Sequence, residues 1–200
     1  MKKELALFDF DGTITTKDTL IDFIQFAKGK RSFFLGITIL SPMLIAYKLK
    51  LIKNYKAKEY MLSYFFKDIS KEEFNKIAKE YSLNHIQNIL REDAIKRIKW
   101  HKDRAHKIVI VSASIECWIK PWCDKNSIAV LSTKLDFKNN KFTGKFATKN
   151  CYGKEKVNRV KSIYKLEEFE YIYAYGDSKG DKEMLFIANK SFYKPFRKKQ

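Results

Sequence analysis

Acidic residues are scarce in this chain. Its 23 Asp and Glu stand against 41 Lys and Arg, a formal net charge of +18 over 200 residues. From Phe23 to Lys58 there is no acidic residue at all, against eight Lys and Arg. That imbalance points to anionic partners: a phosphorylated substrate, an acidic lipid surface or nucleic acid. The carboxyl-terminal "KPFRKK" adds a second basic patch. Cysteine is scarcer still. Cys117, Cys123 and Cys151 form no CxxC and leave one thiol over under any pairing, which argues against a disulfide framework and fits a cytoplasmic protein. The three histidines show no HExxH spacing, so no metal centre built on His or Cys is expected. Long apolar runs are missing too. Ser32 to Tyr47 is uncharged for 16 residues, but a spanning helix needs about 20 apolar residues. Pro42 also interrupts the run, which is therefore expected to be buried or interfacial. "MKKELALFDF" carries Glu4 and reaches Asp9 too soon for a secretory signal. Internal repeats and low-complexity linkers are not evident.

An apolar content of 45% suffices for a real core. Three apolar runs have the look of central parallel strands: "LALFDF" near 5–10, "KIVIVSAS" near 107–114 and "YIYAYGD" near 171–177. Each ends in small or acidic residues, and ligand crevices of open α/β sheets lie at the carboxyl ends of the strands. Asp9 and Asp11, then Ser112, then Asp177 would thus gather in one place. Almost a hundred residues separate the first two runs, too many for one crossover helix. Within them "KEEFNKIAKEYSLNHIQNIL" has a helical period, with Ser70 and Glu73 as a capping box. "LDFKNNKFTGKF" turns at Asn139-Asn140 like a hairpin. The predicted fold is α/β: a Rossmann-like parallel-sheet core of residues 1–15 and 92–200, an inserted helical cap over 16–91, and a β-hairpin.

Two motifs carry the chemistry: DxDxT at Asp9-Phe10-Asp11-Gly12-Thr13, and GDxxxD from Gly176 through Asp177 to Asp181. With Ser112 after an apolar strand and a lysine between, their order resembles that of the haloacid-dehalogenase-like phosphatases, in the subgroup that includes phosphoserine phosphatase. The resemblance covers essentially the whole chain and implies a Mg²⁺-dependent phosphatase. It makes Asp9 the nucleophile that takes the phosphoryl group, and Asp11 the general acid and then the general base. Ser112, with the backbone amides of Ala113 and Ser114, would bind phosphate oxygens. Mg²⁺ would lie on Asp9, the Asp11 carbonyl and Asp177, with Gly12, Thr13 and Asp181 in support. The family's lysine opens a helix with apolar residues at i+4 and i+7. Lys156, followed by Val160 and Ile163, fits this, whereas Lys154, followed by Asn158 and Lys161, does not.

For the substrate, the resemblance leaves two directions open. Phosphoserine phosphatases use an acidic residue after the first motif for the substrate amine, a role Asp18 would fill unless it simply caps a helix. They also use a cap arginine for the carboxylate, and no arginine occurs between Ser32 and Leu90. The run "FFLGITILSPMLIAY", flanked by "KGKR" and by Lys48, Lys50 and Lys53, instead suits an anionic membrane surface. It resembles the cap of phosphatidylglycerophosphatase C-type enzymes, which implies a lipid phosphate and peripheral contact at the inner face of a membrane. The duller account makes Phe33, Phe34, Leu40 and Leu44 ordinary cap core. A rival of another class is a non-catalytic binding protein with a relict site, its basic surface gripping nucleic acid or membrane. The sequence contains no recognisable nucleic-acid-binding motif.

Overall fold

The computed structural model describes residues 3–197; Lys198 and Lys199 of the basic tail lie outside them. In chain order the elements are β1 (Lys3–Phe8), α1 (Thr19–Ile39), α2 (Ser41–Lys48), α3 (Asn54–Phe66), α4 (Lys71–Glu80), α5 (Glu92–Lys102), β2 (Lys107–Ile115), α6 (Glu116–Lys125), β3 (Ala129–Thr133), β4 (Leu135–Lys138), β5 (Lys141–Phe146), α7 (Lys154–Ile163), β6 (Phe169–Gly176), α8 (Lys182–Phe186) and β7 (Lys190–Tyr193). The fold is α/β. Five strands form one sheet in the order β3-β2-β1-β6-β7, every pairing parallel. β4 and β5 make the separate antiparallel hairpin, turning through Asn139 and Asn140, both at positive φ.

The alternation of side chains along a strand explains why the three central runs are apolar throughout. Leu5, Leu7, Val109, Val111, Ile172 and Ala174 face one layer, closed by Val160 of α7 and Met184 of α8. Ala6, Phe8, Ile108, Ile110 and Tyr175 face the other, which runs without a break into the helical insert. There Phe23 stacks on Trp118 at 4.5 Å between ring centroids and meets Phe66 and Phe74 at 5.5 Å. The edge strands β3 and β7 escape a reading by pattern because they are short and partly exposed. The predicted helix over 71–90 is α-helical only to Glu80. A widened turn at Tyr81–His85 follows, and it brings the Tyr81 hydroxyl and His85 Nε2 to Asp22 at 3.1 and 2.8 Å. Ser70 caps α4 by accepting from the Glu73 amide at 3.1 Å.

The chain enters and leaves the insert through a pinched stem. Thr15 and Leu90 form an isolated bridge. The Thr16 amide donates to Ile89 O at 2.7 Å and the Arg91 amide to Ile14 O at 2.8 Å. Among the described residues no helix is long and apolar enough to cross a membrane.

Beneath the sheet, His101 of α5 is fully buried. Its Nε2 lies 2.9 Å from the Tyr175 hydroxyl and its Nδ1 lies 2.8 Å from His106 Nδ1. Burial, with the nearby His106, Arg97 and Arg104, pulls its pKa from 6.5 down to about 3. The unfolded chain then binds the extra proton across that window, so His101 contributes stability above pH 6.5 that is lost as pH falls toward 3. In scanning calorimetry, the fall in melting temperature between pH 7 and pH 4 is expected to be shallower in His101→Gln than in the wild type. Equal slopes would contradict this.

Candidate active site at the carboxyl ends of the strands

β1 is where the connections diverge, to β2 on one side and β6 on the other, and this opens a crevice at its carboxyl end. Asp9 continues the strand, its amide donating to Tyr175 O at 2.9 Å. Beyond it the chain winds into a turn in which the Ile14 and Thr15 amides both donate to Phe10 O. Gly12 takes φ +76 there, and a Cβ on it would collide with the Asp177 carboxylate. The first motif therefore needs glycine so that the carboxylate from β6 can close on it.

Lys156, in the first turn of α7, is buried. Its ammonium donates to Asp9 Oδ1 and Asp181 Oδ1, both at 2.6 Å. Lys154, at the start of the same helix, is exposed. Asp181 Oδ2 accepts from the Ser178 amide and hydroxyl, both at 2.9 Å, and from the Asp177 amide at 3.1 Å. Asp181 thereby folds the second motif onto itself and spends its oxygens doing so. The Thr13 hydroxyl donates to Asp9 Oδ2 at 3.2 Å. Carboxylate oxygens of Asp9, Asp177 and Asp181 lie within 4.8 Å of one another.

Three carboxylates, Asp9, Asp177 and Asp181, share this buried site with the one ammonium of Lys156. Burial pushes Asp9 up to about 7 against the pull of Lys156. Burial also raises Asp177, opposed by Arg197. Burial alone would raise Asp181, but Lys156 and the Ser178 donors outweigh it and hold it below the usual range. Lys156 stays well above its ordinary value because Asp9 and Asp181 together overcome its burial. The crowded oxygens of Asp9 and Asp177, with a glycine making room for the second and Asp181 behind them, fit a hard divalent cation.

The Asp11 carboxyl turns away from that trio. Its Oδ2 accepts from the Ser114 hydroxyl at 2.6 Å and its Oδ1 from the Thr19 amide at 3.0 Å. Behind Ser114 stand three further donors: Ser112 Oγ at 3.0 Å, Thr19 Oγ1 at 3.2 Å, and Trp118 Nε1 bonded to Thr19 Oγ1 at 3.1 Å. Burial and Asp18 push Asp11 up to about 6, against Lys58, Ser114 and Thr19. Such a carboxyl exchanges its proton near neutrality.

A cavity of about 370 Å³ joins these groups, Asp9, Asp11, Ser112, Ala113, Lys156 and Asp177 among its lining. Ser112 lies in its wall, but its hydroxyl is engaged with Ser114, whose amide in turn donates back to Ser112 Oγ at 3.1 Å. Asp18 takes the duller of its two expected roles and also stands at the cavity. It caps α1, accepting from the Leu20 and Ile21 amides at 2.9 and 3.3 Å, and it lines the cavity.

Sequence reasoning named Ser114 only for its backbone amide and missed its hydroxyl, along with Thr19, Lys58 and Arg197. The Ser112-x-Ser114 spacing on a strand puts both hydroxyls on one face, so that pair was within reach of a pattern argument. Lys58 crosses from the insert to donate to Ala113 O at 3.2 Å, and no local signal marks it. Nor does any mark Arg197, whose guanidinium pairs with the Asp177 carboxylate. Phe196 stacks on Tyr175 and its carbonyl accepts from Arg91, and so the tail is folded over the site.

Residues 6–185 match the family described as haloacid dehalogenase-like hydrolase. The chain belongs to that family. This haloacid dehalogenase-like hydrolase is 32% identical over 197 residues to Protein CicA of Caulobacter vibrioides, covering 98% of the chain and 87% of the relative. A protein of unknown function from Bordetella pertussis Tohama I superposes with a TM-score of 0.83 at 20% identity, covering 96% of this chain and 89% of that one. A substrate-bound phosphoserine phosphatase superposes with a TM-score of 0.70 at 21% identity, covering 96% and 86%. Identities this low speak to the hydrolase's fold alone.

Proposed function

We propose that this hydrolase is a Mg²⁺-dependent phosphomonoesterase that works through an aspartyl phosphate on Asp9. The observation that carries the reading is the Lys156 ammonium held between Asp9 and Asp181 beside Asp177, in one cavity with Asp11. An oxygen of Asp9 attacks phosphorus and the bond to the ester oxygen breaks. Asp11 gives its proton to the leaving oxygen. Water then attacks the phosphoryl group on Asp9 and returns a proton to Asp11, freeing phosphate and the Asp9 carboxylate. Lys156 neutralises charge on the phosphoryl oxygens as it spreads in the transition state. Ser112 and Ala113 hold those oxygens once the Ser112 hydroxyl turns from Ser114. Asp9, Asp177 and the Asp11 carbonyl would hold Mg²⁺, with Gly12, Thr13 and Asp181 shaping the cage; the ion supplies further neutralisation of phosphate charge. Residues 16–91 act as the cap, and the stem at Thr15 and Leu90 is its hinge.

The substrate class is a phosphate ester, small or lipid-borne. Free phosphoserine is a second reading. Asp18 at the cavity favours it, and Lys17, Lys58 and Arg197 now offer the cations that a cap arginine would have provided.

Two measurements test the chemistry. Hydrolysis of an aryl phosphate is expected in Mg²⁺ and to vanish in EDTA. Asp11→Asn should still phosphorylate itself with a good leaving group but hydrolyse slowly, so intact-mass spectrometry would show one added phosphoryl group. Wild-type turnover in Asp11→Asn, or activity that survives EDTA, would defeat the reading.

A further inference from the structure

The second half of α1 and all of α2 are apolar on more than one side. Past the break at Gly29 (φ 77), α1 packs inward through Phe33 and Gly36. Phe33 stacks on Phe65 of α3, and a Cβ on Gly36 would collide with Phe65. Ile37, Leu40, Met43 and Leu44 also pack inward against the core, while a second set of apolar side chains is left outside. Phe34 and Leu35 are each 62% exposed, Leu49 66% and Leu51 76%, with Ile39 and Ile45 beside them. A helix that is apolar all round belongs in an apolar surround, and here only one side has one. Isolated exposed apolar residues are ordinary, but Phe34, Leu35, Ile39, Ile45, Leu49 and Leu51 all exposed within one stretch are not.

Charge identifies the occupant of the other side. Lys30, Arg31, Lys48, Lys50 and Lys53 fringe this face and are all exposed, and no acidic residue occurs from Phe23 to Lys58. A protein partner matching this face would need a wide apolar area ringed by acid. An anionic bilayer offers both properties at any orientation: an apolar interior within reach of the side chains and a negative headgroup plane at the height of the lysines.

We propose that the face formed by residues 30–53 docks on an anionic membrane surface, with Phe34, Leu35, Ile39, Ile45, Leu49 and Leu51 inserted at the headgroup–acyl boundary. The seat is continuous with the catalytic cavity. Asn54 Nδ2 donates to the Tyr47 hydroxyl at 2.9 Å on this face, and Asn54 and Lys58 of α3 line the cavity. A phosphate ester standing in the headgroup plane would meet the cavity mouth without leaving the surface.

Docking does not depend on the chemistry at Asp9, and its test uses none. The full chain is sedimented with vesicles of phosphatidylcholine alone and of phosphatidylcholine with phosphatidylglycerol. Binding to the second and not the first is expected. Leu49→Ser with Leu51→Ser, both at exposed positions, should lower the partition coefficient about tenfold. Lys48→Gln with Lys50→Gln should lower it about fivefold per charge removed. Asp9→Asn should bind as the wild type does. Both double variants should hydrolyse an aryl phosphate in solution at the wild-type rate, so failure of docking and failure of the phosphatase reading give different results. Binding that is indifferent to Leu49 and Leu51 and abolished by salt would reduce the effect to bulk charge and overturn the proposal. So would dimerisation through this face that vesicles do not compete away.

Discussion

Asp9→Asn is expected to lower aryl-phosphate turnover by roughly 10⁴-fold or more, as removal of a nucleophile does elsewhere, while the protein stays folded. An amide oxygen is too weak a nucleophile to take the phosphoryl group, and no other carboxylate stands in the same place. Asp181 is closed off by Ser178 and Lys156, and Asp11 faces Ser114 and Thr19. Stability should move the other way. The Asp9 carboxyl is raised by burial from 3.8 to about 7. The folded chain therefore binds the extra proton in that window, and stability falls as pH rises through it. The amide does not titrate, so in EDTA the variant should melt no lower than wild type at pH 8 and should lack this part of the pH slope. A variant that kept wild-type turnover would remove Asp9 from the nucleophile's role.

Lys156→Met separates two lysines that stand only two residues apart in the sequence. Removing an ammonium held at 2.6 Å by two buried carboxylates leaves those charges without a partner, a loss of about 3–5 kcal/mol. For a chain of this size that corresponds to roughly 10 °C of melting temperature. Turnover should drop by about 10²–10³-fold as well, the range seen when one charge-stabilising donor is lost. Lys156→Arg should not restore it, because a planar fork does not fit between two carboxylates that share one point charge. Lys154→Met is the control: an exposed side chain should change stability by no more than about 0.5 kcal/mol and leave turnover alone. The destabilisation of Lys156→Met should shrink on moving from pH 8 to pH 5, because the orphaned carboxyls can then take up protons. A Lys154 variant that lost activity while Lys156→Met kept it would reverse the assignment.

The three central strands were legible because both of their faces are buried, so their apolar runs are unbroken, and because the motif residues follow them directly in the chain. The hairpin turn was legible for a different reason, since consecutive asparagines tolerate the positive φ that a tight turn demands. β3 and β7 were not, because edge strands bury one side at most and carry a weaker pattern. The α-helix that gives way at Glu80 was read too long, because periodicity does not register the pull of Asp22 on Tyr81 and His85.

The same division runs through the candidate site. Asp9, Asp11, Asp177, Asp181 and Ser112 stand at strand ends in the order that the family resemblance expects, and Lys156 was chosen by the helix register which that resemblance supplies. Their convergence follows from the topology of a parallel sheet, which collects strand ends that are distant in sequence. Only the tertiary structure decided which groups answer them: Ser114 and Thr19 on Asp11, Lys58 reaching Ala113, and Arg197 brought back by the Phe196–Tyr175 stack. It also decided which apolar residues of the insert face inward. Sequence by itself determined that residues 30–53 are apolar and basic. Which side chains find partners depends on the packing of α1 against α3, and that packing buries one face of the helix and leaves the other exposed.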